Sequence, residues 1–148
     1  FGVETQRILR LEKGHLIPGT DSDGLSSPYE TGVGFAIKDE KQDFIGKAFL
    51  KQFKDRGMEN KLVAYELSPN SPIPDDGVAV IKNGKIAGRV TSSRMSPTIK
   101  RGIGLAWVRK DMSDTGNNFT IRLANGTDLK ATVLNHSSYD PEGLRLKS

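Results

Sequence analysis

The chain has 148 residues, 35% hydrophobic and 27% charged, which allows one domain with a core and excludes a disordered composition. It has no cysteine, which excludes disulfides and thiolate chemistry, and no apolar run nears the roughly 20 residues of a membrane-spanning helix. Its 22 basic and 18 acidic residues give a net charge of +4 without a block of like charge, which suits a polyanionic partner or an ordinary solvated surface.

The opening residues lack the basic start, apolar run and small-residue cleavage site of a signal peptide. With Phe1 in place of a Met, the start reads as a processed or cut end. Residues 5–13 set Ile8, Leu9 and Leu11 among charged neighbours. They predict the last turns of an amphipathic helix, which Gly14 stops. Residues 15–29 are a long loop with Pro18, Gly19, Asp21, Asp23, Gly24 and Pro28 as turn formers; loops of this length are functional or disordered. Residues 32–38 read as a strand. Residues 43–56 read as a helix capped by Asp43 and ended by Gly57, with Ile45, Phe49 and Phe53 on one apolar face.

After Asn60 the texture changes. Residues 62–67 are strand-like and 68–76 are a proline-rich turn. Residues 78–82 and 86–91 flank Asn83-Gly84, a hairpin signal because both positions tolerate positive φ. Residues 103–109 form another strand, with Trp107 read as barrel core. Residues 119–123 and 129–134 flank a second Asn-Gly, Asn125-Gly126. Short strands with tight turns predict an antiparallel barrel or sandwich from about residue 61 to 135. The expected fold class is an α+β fragment followed by an all-β antiparallel barrel, mainly β, divided into residues 1–60 and 61–148. One strand makes no sheet, so the first piece is expected to be incomplete and to need partners. The second is expected to fold alone.

Glu30 stands between Pro28 and a glycine-rich segment. A carboxylate there either faces solvent or takes two adjacent N–H donors, such as the amidine-like edge of a pterin. Tyr29 is a candidate ring-stacking wall, or core or rim. Arg94 and Arg101 flank the turn at Ser96-Pro97-Thr98 and are either carboxylate-binding groups or exposed loop charges. His15 and His136 have no acidic residue at a ligand spacing, so no metal site is expected. Asp21 and Asp23 lack the closing bidentate Glu of a calcium loop. Spacing supports no Ser-His-Asp arrangement, and Gly32-x-Gly34 is no dinucleotide fingerprint.

An ordered set of blocks carries a resemblance. The first two are Leu9-Arg10-Leu11-Glu12-Lys13-Gly14 and Ser27-Pro28-Tyr29-Glu30-Thr31-Gly32-Val33. Asp43-Phe44-Ile45-Gly46-Lys47, Ser96-Pro97-Thr98-Ile99 and Ile103-Gly104-Leu105-Ala106 follow. Over roughly residues 5–135 the chain resembles the folate-binding aminomethyltransferase family, founded by the T-protein of the glycine cleavage system. Within that family, Glu12-Lys13-Gly14-His15 followed by Ile17, Gly19, Asp21, Asp23 and Gly24 is most similar to the α-subunit of heterotetrameric sarcosine oxidases. Pro18 stands where the T-protein usually has Tyr.

The resemblance implies that residues 1–60 complete a central folate-binding domain and that 61–148 are the family's C-terminal barrel. It implies that Glu30 hydrogen-bonds the pterin ring of tetrahydrofolate, with Tyr29, Arg94 and Arg101 as further folate contacts. The family's catalytic Asp lies in an N-terminal segment without counterpart here. No catalytic residue is therefore assigned, and the chain alone is expected to be inactive. The implied role is to help pass a one-carbon unit from a small amine to tetrahydrofolate in the cytoplasm, with FAD, FMN or NAD only in missing domains or subunits. Expected partners are missing N-terminal domains, other subunits or a second copy, and neither nucleic acid nor membrane. The competing expectation is a non-catalytic module that docks to partner subunits. A barrel binding RNA would interleave aromatics with Lys and Arg on a strand face, and these strands carry few aromatics.

Overall fold

A computed structural model describes residues 2–135 and 137–147. Its strands are β1 (Asn60–Leu67), β2 (Ala79–Lys82), β3 (Lys85–Ser96), β4 (Arg101–Arg109), β5 (Asn118–Arg122) and β6 (Asp128–Val133). They pair antiparallel in the order β1-β4-β3-β2-β5-β6, and the barrel closes where Tyr65 to Leu67 of β1 meet Val133 to Ala131 of β6. Alternation builds the interior. Val63, Tyr65 and Leu67, then Phe119 and Ile121, then Leu129, Ala131 and Val133 fill one core. Asn83 (φ 52°) and Gly84 (φ 74°) make the two-residue turn between β2 and β3, as the dipeptide predicts. Asn125-Gly126 turns differently: only Gly126 has positive φ, and its N–H donates to Leu123 O at 2.9 Å.

Tyr65 is the largest fully buried side chain, edge-on to Phe119 with ring centroids 5.6 Å apart. Among the described residues its hydroxyl has no well-formed hydrogen bond, only a weak contact with the Ser93 side chain, and burial pushes its pKa up. A buried unpaired hydroxyl costs about 1–3 kcal/mol. Tyr65→Phe is therefore expected to raise the thermal midpoint, by about 1 kcal/mol of stability. A clear fall in the midpoint would show that the hydroxyl is satisfied after all.

One outer face of the barrel is also covered. The helix α1 (Val3–Lys13) lies against β3 and β4, and Leu11 packs with Leu62, Ile103 and Leu105. Gly14 ends it with φ 76°, as predicted. Glu12 is buried and accepts a hydrogen bond from Ser96 Oγ, which ties the helix to the β3–β4 turn.

This coverage corrects the placement of Trp107. In β4 the inward positions are Gly102, Gly104, Ala106 and Val108. A Cβ on Gly104 would meet Tyr65 at 2.6 Å, so small residues face the barrel. Ile103, Leu105 and Trp107 point outward, beneath α1 and the loop after it. A strand buried on both faces loses its polar alternation, so its sequence does not say which face is the core.

The first sixty residues need two further corrections. Residues 32–38 are not a strand: the chain makes a 3-10 turn at Gly34–Ala36, and Phe35 is 86% exposed. The closed barrel offers that segment no edge to pair with, and two glycines weaken it as a strand. The predicted helix over 43–56 starts later, as α2 (Lys47–Arg56). Gly46 precedes it in a left-handed conformation, and Asp43 accepts only from Phe44 N–H at 2.9 Å, so Asp43 is not the cap. Gly57 ends α2 as expected. Of the predicted apolar face only Phe53 is buried; Phe49 is 60% exposed and Ile45 fully so. Among the described residues no helix is long and apolar enough to cross a membrane.

Candidate functional site

The loop after α1 is fixed to the barrel wall at its middle and at its end. At the middle, Asp21 is fully buried. Its carboxylate accepts from Thr91 Oγ1 (2.6 Å) and Ser92 Oγ (2.8 Å) on one oxygen. Ile17 N–H (2.8 Å) and Arg10 donate to the other. A bulge between Val90 and Ser92 turns both hydroxyls outward to the same carboxylate. Trp107 Nε1 donates to the carbonyl of Asp21 at 2.8 Å. At the end, Leu62 N–H donates to Glu30 O at 2.9 Å and joins the loop to β1.

Between these anchors lies a cleft of about 470 Å³, lined by Asp23, Leu25, Glu30, Ile86, Arg89 and Trp107 among others. Glu30 is half-buried; Ser27 N–H donates to its Oε2 at 3.1 Å, and its Oε1 has no partner among the described residues. Asp23 accepts from Ser26 Oγ (2.8 Å) and Leu25 N–H (3.0 Å), and these bonds hold its carboxyl below the usual range. The cleft brings together binding groups from the loop, β3 and β4. It offers a carboxylate with a free oxygen, an indole whose N–H is already used, a cation and two exposed aliphatic side chains, Leu25 and Ile86. A flat ring with N–H donors on its edge suits that set.

The other residues singled out in the sequence lie elsewhere. Tyr29 turns away from Glu30: its hydroxyl donates to Asp39 at 3.3 Å, and Lys54 Nζ sits 4.7 Å from its ring centroid. The hydrogen bond from Lys54 lowers the Asp39 pKa and raises that of Lys54. Arg94 donates to Glu4 at 2.6 Å and lies 3.6 Å from Asp76. Arg101 donates to Glu66 at 3.0 Å. None of the three lines the Glu30 cleft. His15 is exposed, on the rim of a second cleft of about 620 Å³ floored by Leu62, Ala64 and Leu105. His136 lies outside the described residues. Among the described residues no three His, Asp or Glu side chains gather around one point as metal ligands.

Sequence reading missed the Arg10–Asp21–Thr91–Ser92 network. Its trace is polar residues where burial is expected: Arg10 between Leu9 and Leu11, and the run Thr91-Ser92-Ser93 inside an apolar strand.

Comparison with known proteins adds three findings. Residues 60–140 match the family model described as the glycine cleavage T-protein C-terminal barrel domain. The chain is 40% identical over 124 residues to an aminomethyltransferase of Halothermothrix orenii, covering 84% of this chain and 34% of that protein. It is 38% identical over 140 residues to one from Clostridium botulinum, covering 94% of this chain and 37% of that one. The structure is similar to that of the glycine cleavage system aminomethyltransferase T from Bartonella henselae, with a TM-score of 0.83 at 22% identity, over 90% of this chain and 38% of that chain. At that identity the likeness speaks for the fold. The chain thus spans about a third of the length of these relatives.

Proposed function

Since this chain belongs to the family of the glycine cleavage T-protein C-terminal barrel domain, we propose that it is the C-terminal, folate-binding part of an aminomethyltransferase-type enzyme. Such an enzyme passes a one-carbon unit from an amine to tetrahydrofolate. The observation that carries this reading is Glu30, whose Oε1 is unpartnered among the described residues and which lies on a cleft walled by Trp107. That donor set fits the folate ring. The Glu30 carboxylate takes adjacent ring N–H groups, the indole covers the ring, and Arg89 at the cleft meets a tail carboxylate. Tetrahydrofolate, when bound, supplies the nitrogen that accepts the one-carbon unit. Tyr29, Arg94 and Arg101 act in this reading through the loop and barrel contacts they already make.

The finer assignment is to the branch of the sarcosine oxidase α-subunit. It rests on Glu12-Lys13-Gly14-His15 and on Pro18, and a cytoplasmic location accords with the absence of cysteine. Residues 1–60 then belong to the central domain and 61–148 to the barrel. The exposed Phe35, Ile45 and Phe49 offer a docking face to the rest of such an enzyme.

The test is titration of the 148-residue chain with tetrahydrofolate, read as heat and as emission of Trp107, its only tryptophan. Binding is expected to quench the indole. Glu30→Gln is expected to weaken binding by about 1–3 kcal/mol, roughly 5- to 150-fold, the range for a lost hydrogen bond to a charged group. Equal affinity in the two proteins, or none in either, would overturn the assignment of this cleft.

A further inference from the structure

Asp21 is bonded more heavily than a turn requires. One fully buried carboxylate in an irregular loop collects donors from α1 (Arg10), the loop (Ile17) and β3 (Thr91 and Ser92), while its carbonyl holds the indole of β4. The closure of the barrel and its interior are built without it. Its strands pair with one another all the way round, and the interior is filled by Tyr65, Val80, Phe119, Ile121 and their neighbours. What the network does is tie together two elements that line the cleft, the β4 indole and the loop. Trp107 is held at its N–H, and the segment that runs on from Asp21 carries Asp23, Leu25 and Glu30.

We propose that Asp21 is the positioning residue of this cleft, fixing the Trp107 indole opposite Glu30 so that only a flat ring enters between them. The ring chemistry rests on the folate reading above; the positioning itself does not. Asp21 is fully buried and does not line the cleft. Arg10 neutralises the buried carboxylate, and the two hydroxyls on the bulge set its height over the sheet. An asparagine keeps the size but not the charge: its oxygen can face the obligate donors Arg10 and Ile17 N–H only if its N–H₂ faces the Thr91 and Ser92 hydroxyls, which must then accept, and Arg10 is left without a counter-ion, which loosens the loop.

The experiment compares wild type with Asp21→Asn, and with Asp21→Asn combined with Arg10→Gln, which leaves no unpaired buried charge if the single variant folds poorly. Acrylamide quenching of Trp107 and calorimetric titration with tetrahydrofolate are both run far below the melting midpoint. The expected result is quenching at least twofold more efficient and affinity at least tenfold lower in the variants. A purely structural role would lower the midpoint and leave both readings at wild-type values, and that result overturns the proposal. If wild type takes up no tetrahydrofolate, the folate reading fails. The ligand-free quenching then still decides whether Asp21 positions the indole.

Discussion

Gly88→Ala is expected to cost about 4 kcal/mol or more, a large part of the ~5–15 kcal/mol that holds a typical domain folded. Gly88 of β3 pairs with Val108 of β4, and a Cβ at position 88 would lie 1.9 Å from the carbonyl oxygen of Trp107 and 2.9 Å from its carbonyl carbon. Both atoms are backbone, so no side chain can swing aside. The strands would have to separate by more than an ångström, which breaks ladder hydrogen bonds. The approach is reciprocal. On β4, a Cβ at Gly104 would lie 2.2 Å from Ser92 O. The two glycines stand on either side of the bulge that presents Thr91 and Ser92 to Asp21, so the tight ribbon and the buried network are parts of one arrangement. The check is urea unfolding followed by circular dichroism. Gly84→Ala is the control: the turn is open around it and only its φ of 74° resists, a strain of about 1–2 kcal/mol. A Gly88→Ala protein as stable as the Gly84→Ala protein would refute the close approach.

How much of this was legible in the sequence depends on whether the signal was local. The β2–β3 hairpin was legible because Asn83-Gly84 fixes its own turn. The end of α1 was legible because Gly14 needs only the helix before it. The mistaken readings have distant causes. Residues 32–38 alternate like a strand, and only the closed barrel, built from residues that follow, denies them a partner. Trp107 reads as core because its strand is apolar throughout. That its outward face is apolar too follows from α1 and the loop lying on it, about ninety positions earlier in the chain. The candidate site divides in the same way. Glu30 was legible as a carboxylate after a long loop, and the structure puts it on a cleft. Arg89 and Trp107 join it from β3 and β4 by strand register, which no local motif records.

Asp21→Ala is expected to destabilise the chain by about 3–5 kcal/mol, the range for stranding one partner of a buried ion pair. The side chain of Arg10 is only 11% exposed, and its Nε already lacks a partner among the described residues. Without the carboxylate, Arg10 keeps Ser92 Oγ (2.6 Å) and His15 O (3.2 Å), neither of which carries charge. Ile17 N–H loses its acceptor, while Thr91 falls back on Leu105 O at 3.2 Å. The size of the loss does not mean that the pair contributes that much when intact. Desolvating two charges offsets much of their attraction, so most of the loss is the cost of a lone buried guanidinium. A double-mutant cycle separates the two. With Arg10→Met in the same chain the stranded charge is gone, and the double variant is expected to be more stable than Asp21→Ala alone, with a coupling of about 1.5–3 kcal/mol. Measured by urea unfolding, single-variant losses that add to within about 0.5 kcal/mol would mean that Arg10 and Asp21 are not energetically joined. The loop would then be held by the hydroxyls of β3 and the indole of β4 alone.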